Sequence, residues 1–254
     1  MSTLRATTAI RYVQPLREGG SLPAIMECDD GELRVVKFRG AGQGPRALVA
    51  EVVAGELGRR LGLRVPELVL VDLDAAIGRA EPHPEIRELL MNSAGVNLGM
   101  AYLAGAVGFD VAAHEPVPPA LASAIVWFDA YVTNVDRTAK NPNLLWWQHE
   151  LWLIDHGAAL YAHHAPGFLE RAAISFAPIR DHVLLAAASD LAQAGAVMAS
   201  AITPALMEEV AAAIPDGWLD GGPGRADYEA FLRQRRDAVD VFIEEAGRAR
   251  ARLV

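Results

Sequence analysis

Cysteine, lysine and asparagine are nearly missing from this chain, and each shortage excludes something. The single cysteine, Cys28, cannot build a disulfide framework and fits a reducing compartment, so a cytoplasmic location is expected. Positive charge is short as well. A net charge of −9 argues against non-specific partners such as nucleic acid or an anionic membrane surface. Long apolar runs are also lacking. Residues 1–10 have no apolar core of the kind a secretory signal carries. The least charged stretch, Leu184 to Ile202, holds one charge, Asp190, but is alanine-rich and too weakly hydrophobic for a membrane span, so it reads as a helix of a soluble protein.

What the chain does contain is unevenly placed. Only Lys37 and Lys140 stand against 21 arginines, and arginine cannot replace a compact ammonium on a flexible stem. Of five asparagines, three fall between 134 and 143. Just over half of the 254 residues are apolar, enough for one large domain or two small lobes around a sizeable core.

The first third reads as strands with one helix. Strands are expected at 10–16, 24–28 and 33–39, with a tight turn at 29–32, giving an antiparallel meander. Gly19-Gly20-Ser21 falls at its first turn, where glycine lets backbone N–H groups approach phosphate oxygens. Lys37 shares a strand face with Leu33 and Val35. A helix from Pro45 to about Gly62 follows, with Val49, Val53, Leu57 and Leu61 as its buried stripe. Glu51 borders that stripe and is the expected ion-pair partner of Lys37, ahead of Glu56. Another strand is expected at 67–71, a connection at 74–86, and a short strand at 86–91. That strand runs into a linker whose start, Met91, Asn92 and Ser93, could offer backbone groups to an adenine edge.

Past the linker the pattern turns helical. A helix over 120–132 carries Leu121, Ile125, Phe128 and Val132 on one face and leads into the loop Asn134–Asn143. A hairpin comes next. With His149-Glu150 as a two-residue turn, Leu144 would face Asp155 and bring that carboxylate beside Asn141 and Asn143. The paired His163-His164 lacks a third ligand at zinc spacing and reads as loop. Helices are expected at 205–214 and, as one element, at 227–250, the latter burying the stem of Arg235.

Two carboxylates, carboxamides and a distant lysine suit phosphoryl transfer, which needs positioning and charge neutralisation more than covalent chemistry. Asp136 is placed to take a proton from a nucleophile. Asn141 and Asp155 offer the hard oxygens that Mg²⁺ prefers. Lys37 would neutralise the non-transferred phosphates and Lys140 the developing charge on the transferring group.

The order of these parts resembles the protein-kinase-like superfamily, and more narrowly the HipA-like kinases, which are related in fold to the phosphatidylinositol kinases. Val35-Val-Lys-Phe38, Glu51, Glu88 to Gly99, Asp136-Arg-Thr-Ala-Lys-Asn141 and Ile154-Asp-His-Gly157 carry the likeness. The resemblance implies ATP and Mg²⁺ as cofactors, Asp136 as catalytic base, Asn141 and Asp155 as magnesium ligands, and Lys37 on the ATP phosphates. The usual His-Arg-Asp appears as Asn134-Val-Asp136, and the usual Asp-Phe-Gly as Asp155-His-Gly157. The length leaves no room for the extra N-terminal subdomain of a HipA toxin. The implied fold class is α+β: a small antiparallel β-rich N-lobe, residues 1–93, and a larger, mainly helical C-lobe, residues 94–254. The implied activity is transfer of a γ-phosphate to a hydroxyl, with protein Ser/Thr as one acceptor class. The alternatives are a small-molecule phosphotransferase of the aminoglycoside-kinase type and a nucleotide-binding pseudokinase.

Overall fold

Alternating aliphatic and polar residues draw the first third of the chain into strands that close on one another. The computed structural model describes residues 4–16, 22–112 and 115–253, so the Gly19-Gly20-Ser21 turn lies outside the described residues. Strands β1 (Arg5–Pro15), β2 (Ala24–Cys28) and β3 (Leu33–Lys37) precede helix α1 (Gly44–Arg60). Strand β4 (Leu68–Leu73), helices α2 (Ala75–Ala80) and α3 (Pro84–Asn92), and strand β5 (Gly95–Ala101) follow. The five strands form a closed barrel in the order β1-β2-β3-β5-β4. Its seam is parallel, with Arg5 opposite Val69 in β4, so the expected all-antiparallel arrangement holds for every pair except this one.

Two expectations fail in this region. The segment 86–91 is helical, not a strand. Pro84 occupies the first turn of α3, and Ile86, Leu89 and Leu90 recur at helical spacing to pack on the barrel. The connection expected at 74–86 contains α2, capped where Asp74 Oδ1 accepts the Ala76 N–H at 2.7 Å. The strand after α3 is β5, which pairs with both β3 and β4. A boundary at 93/94 therefore precedes the barrel's fifth strand. Gly99 in β5 has no room for a side chain, since a Cβ there would stand 2.5 Å from Val71 Cγ2.

The rest is mainly helical. Strand β6 (Val107–Gly108) joins β7 (Leu144–Trp147) and β8 (Glu150–Leu153) in a small sheet, and helix α4 (Pro119–Tyr131) runs through the core, buried almost all round. Short 3₁₀ turns lead to α5 (Leu191–Ala201), α6 (Pro204–Ala212), α7 (Arg225–Asp237) and α8 (Val239–Arg250). The helix expected over 227–250 is thus two, broken at Ala238. No helix among the described residues is long and apolar enough to cross a membrane.

The hydrophobic core has two parts. One fills the barrel around Met26, Val36, Phe38 and Val71. The larger runs from α1 through α4 to α8, so α1 packs with the helices as well as against the barrel. Arg235 is wholly buried, head as well as stem. Its guanidinium donates to the carbonyls of Ala130, Tyr131, Ala172 and Ile174 and lies 4.4 Å from the Phe242 ring centre. Two of those carbonyls close α4, where a helix leaves its acceptors unpaired.

Candidate active site

Lys37 ends β3 on the face it shares with Val35, opposite the buried Arg34 and Val36, and so points out of the barrel wall. Helix α1 then brings Glu51, 2% exposed, against it. Lys37 Nζ donates to Glu51 Oε1 and, at 2.7 Å, to Asp155 Oδ1. Burial alone would lower the Lys37 ammonium, but the two carboxylates outweigh it and hold its pKa above the usual lysine range. Burial pushes the Glu51 carboxyl up against the pull of Lys37. Asp155, with a side chain 41% exposed to the cleft, is raised by burial but drawn down further by Lys37, to about 2. Glu56 lies elsewhere, 3.4 Å from Arg59.

Asp155 reaches this place by a hairpin in a different register from the expected one. Leu144 faces Leu153 and Trp147 faces Glu150, so Gln148-His149 is the turn. Both turn residues have positive φ, 49° and 62°, which gives the two-residue loop a twist that matches paired strands. The Ile154 N–H donates to the Asn143 carbonyl at 3.1 Å, so the strands still deliver Asp155 beside the asparagine loop. Asp155 itself adopts φ +54°. Gly157 lets Glu51 approach, because a Cβ at 157 would sit 3.2 Å from Glu51 Oε1.

On the facing side, Asn141 Nδ2 donates to Asp136 Oδ2 at 2.7 Å and Asn143 Nδ2 to the same oxygen at 3.4 Å. Donation through Nδ2 leaves each amide oxygen as the atom suited to a metal. A cavity of about 570 Å³ joins the two sides and is lined by Val35, Lys37, Asp136, Asn141, Asn143 and Asp155 among others. The Asp155 carboxylate and the amide oxygens of Asn141 and Asn143 are hard donors, of the kind that fits a divalent cation such as Mg²⁺. Lys140 is exposed and outside this lining.

Met91, Asn92 and Ser93 do not line the cavity. They end α3, where Met91 is 45% exposed and Ser93 Oγ accepts the Gly40 N–H at 3.1 Å. Met100, Ala101, Tyr102 and Leu103, at and just past the end of β5, do line the cavity. The alternation of Val96, Leu98 and Met100 was the available signal for that strand, obscured by glycines at 95 and 99.

A buried polar group also escaped sequence reading. Asp129, fully buried in α4, takes hydrogen bonds from Asn134, Arg137 and His182. Burial opposes its charge, but Arg137 and His182 hold its pKa well below the carboxylate range. A lone acid within the apolar run Ile125–Val132 was the clue. His156 is buried edge-on to Phe128, and burial, helped by Arg137, lowers its pKa to about 3. His163 and His164 contact each other at 3.1 Å, and no cluster of three His, Cys, Asp or Glu side chains placed to hold a metal occurs among the described residues.

A family model described as HipA-like kinase matches residues 9–239. No curated protein matches the chain. Among solved structures, the Helicobacter pylori proinflammatory kinase CtkA is similar at 15% identity and a TM-score of 0.56, with 98% of this chain and 99% of that one covered. The Golgi casein kinase with Mn and ADP bound aligns at 13% identity and a TM-score of 0.49, over 96% of this chain and 74% of that one.

Proposed function

The chain belongs to the HipA-like kinase family, and from that premise we propose that it is an ATP- and Mg²⁺-dependent phosphotransferase acting on a hydroxyl, with protein Ser/Thr as the acceptor class. The observation that carries the proposal is Lys37 held between Glu51 and Asp155 across a cavity from Asp136 and Asn141. In this reading the barrel through Ala101 is the N-lobe, the helical remainder is the C-lobe, and nucleotide enters between them. Met100 to Leu103 border the adenine pocket. The protein works in the cytoplasm.

Lys37 turns its ammonium toward the non-transferred phosphates, with Glu51 fixing its direction. Asp136 lines the cavity and takes the proton of an acceptor hydroxyl as its oxygen attacks. Asn141 and Asp155 would hold the metal, with Asn143 beside them. When bound, Mg²⁺ would supply neutralisation of phosphate charge. Lys140, one residue before Asn141, approaches the transferring group only if the exposed loop turns inward.

The test is incubation with Mg²⁺-ATP and a generic protein acceptor, following ADP release and intact mass, beside Asp136→Asn. Phosphate on protein with the parent alone supports the proposal. ADP release without protein phosphate points instead to a small-molecule acceptor or to water. Failure to bind ATP at millimolar concentration overturns it.

A further inference from the structure

Asp129 places a charge inside an apolar helix, which is costly unless the charge is paired and its lone pairs are used. Both conditions are met, and each partner leads to a different part of the cleft. Asn134 Nδ2 donates to Asp129 at 3.0 Å while Asn134 Oδ1 accepts the backbone N–H of Asp136 at 3.2 Å. Arg137 Nε donates to Asp129 at 2.5 Å, and Arg137 Nη1 donates to the Asn143 carbonyl and, at 3.3 Å, to that of Ile154. His182 Nδ1 accepts the Leu184 N–H at 3.0 Å, which leaves its Nε2–H to donate to Asp129 at 2.9 Å. The same residue bridges Thr138 as an antiparallel pair, and the Val183 N–H donates to the Arg137 carbonyl at 3.1 Å.

The Arg137 contacts fall beside two residues with left-handed backbone. Asn143 and Asp155 have φ of +48° and +54°, left-handed values that a non-glycine residue keeps only when its surroundings over-determine them. Arg137 grips the carbonyl of the first and the carbonyl just before the second. The Asn-bearing loop and the Asp155 strand end are therefore tied to one buried carboxylate.

We propose that Asp129 is a positioning residue: through Asn134, Arg137 and His182 it holds Asp136, Asn143 and Asp155 in one fixed arrangement. Its kinetic consequence rests on the phosphotransferase reading above, but its structural consequence does not.

Hydrogen exchange of the full chain, parent against Asp129→Asn, separates the two. Peptides covering 134–143 and 153–157 are expected to exchange at least about tenfold faster in the variant, with the barrel strands and α7 unchanged. His182→Ala is expected to loosen the same two segments in part. His182→Gln, which keeps an N–H donor, is expected to loosen them less. On ATP, Asp129→Asn is expected to lower kcat about 10–100-fold with KM for ATP within about threefold. Unchanged exchange in both segments of a folded variant overturns the proposal, and so does an even rise along the whole chain. If Asp129→Asn does not fold, the two His182 variants decide, and equal exchange in both overturns it. Loosening of the two segments in a protein whose parent transfers no phosphate upholds the positioning role and removes the kinase reading. An active parent with unaltered exchange in the variant does the reverse.

Discussion

Lys37 is the residue on which two arguments meet, one from its rarity and one from its partners. A lysine among aliphatic residues on a strand can snorkel to solvent, but here Glu51 and Asp155 hold it at the cleft wall. Removing it leaves the buried Glu51 without its countercharge. Lys37→Ala is therefore expected to destabilise the protein by about 3 kcal/mol, read by urea denaturation. A Lys37→Met, Glu51→Leu double variant is expected to recover most of that loss while abolishing phosphate transfer, and a double variant no more stable than Lys37→Ala would contradict the pairing. That Asp136, Asn141 and Asp155 would meet at one cleft was legible because their chemistry and spacing are distinctive. Asp129 was not, because its role comes from three side chains that only the fold brings to it.

Elements were legible where one period dominated. Strand β2 falls where expected, at Ala24–Cys28, and the start of α6 follows from Thr203-Pro204, with Thr203 Oγ1 accepting the Leu206 N–H at 3.2 Å. The region 84–101 was misread because a short apolar run cannot by itself separate helix from strand. The strand beyond it hid behind Gly95, which has a φ of +99°, and Gly99, where packing leaves no room for a side chain, so neither glycine marks a linker. The hairpin shows the same limit in its turn. Its strands were foreseen, but Gln148 and His149 are not residues that announce left-handed backbone. The double substitution Gln148→Asn, His149→Gly should therefore stabilise the fold by about 0.5–1 kcal/mol, measured as a raised denaturation midpoint. A lowered midpoint would mean that the turn side chains contribute more than the backbone geometry costs.

At the scale of the whole molecule, the larger core joins α1 to the C-terminal helices, so Glu51 is positioned by both parts of the structure. Arg46 and Arg60 reinforce this, the first donating to the carbonyls of His163 and Gly221, the second pairing with Glu209. Sequence periodicity locates such helices but not which core they join. Buried histidines make this assembly sensitive to acid. His156 and His163 have pKa values lowered to about 3 by burial, against 6.5 when exposed. Between those values the unfolded chain binds more protons, so stability rises with pH there and is lost as pH falls from about 6.5. Asp155 adds to the loss between its ordinary 3.8 and about 2, while Glu51, raised by burial, acts in the opposite sense. Denaturation midpoints should decline steadily from pH 7 to pH 4, and a flat profile would contradict the burial of both histidines. The central claim, that this cleft binds nucleotide phosphates through Lys37 and a metal held by Asp155, is tested most directly by calorimetric titration of ATP with and without Mg²⁺ into the parent and Asp155→Ala. The parent should bind ATP more tightly with Mg²⁺. Asp155→Ala should keep metal-free binding, or strengthen it by releasing Lys37, and lose the magnesium increment. An undiminished magnesium increment in the variant, or no ATP binding by the parent, would contradict the account.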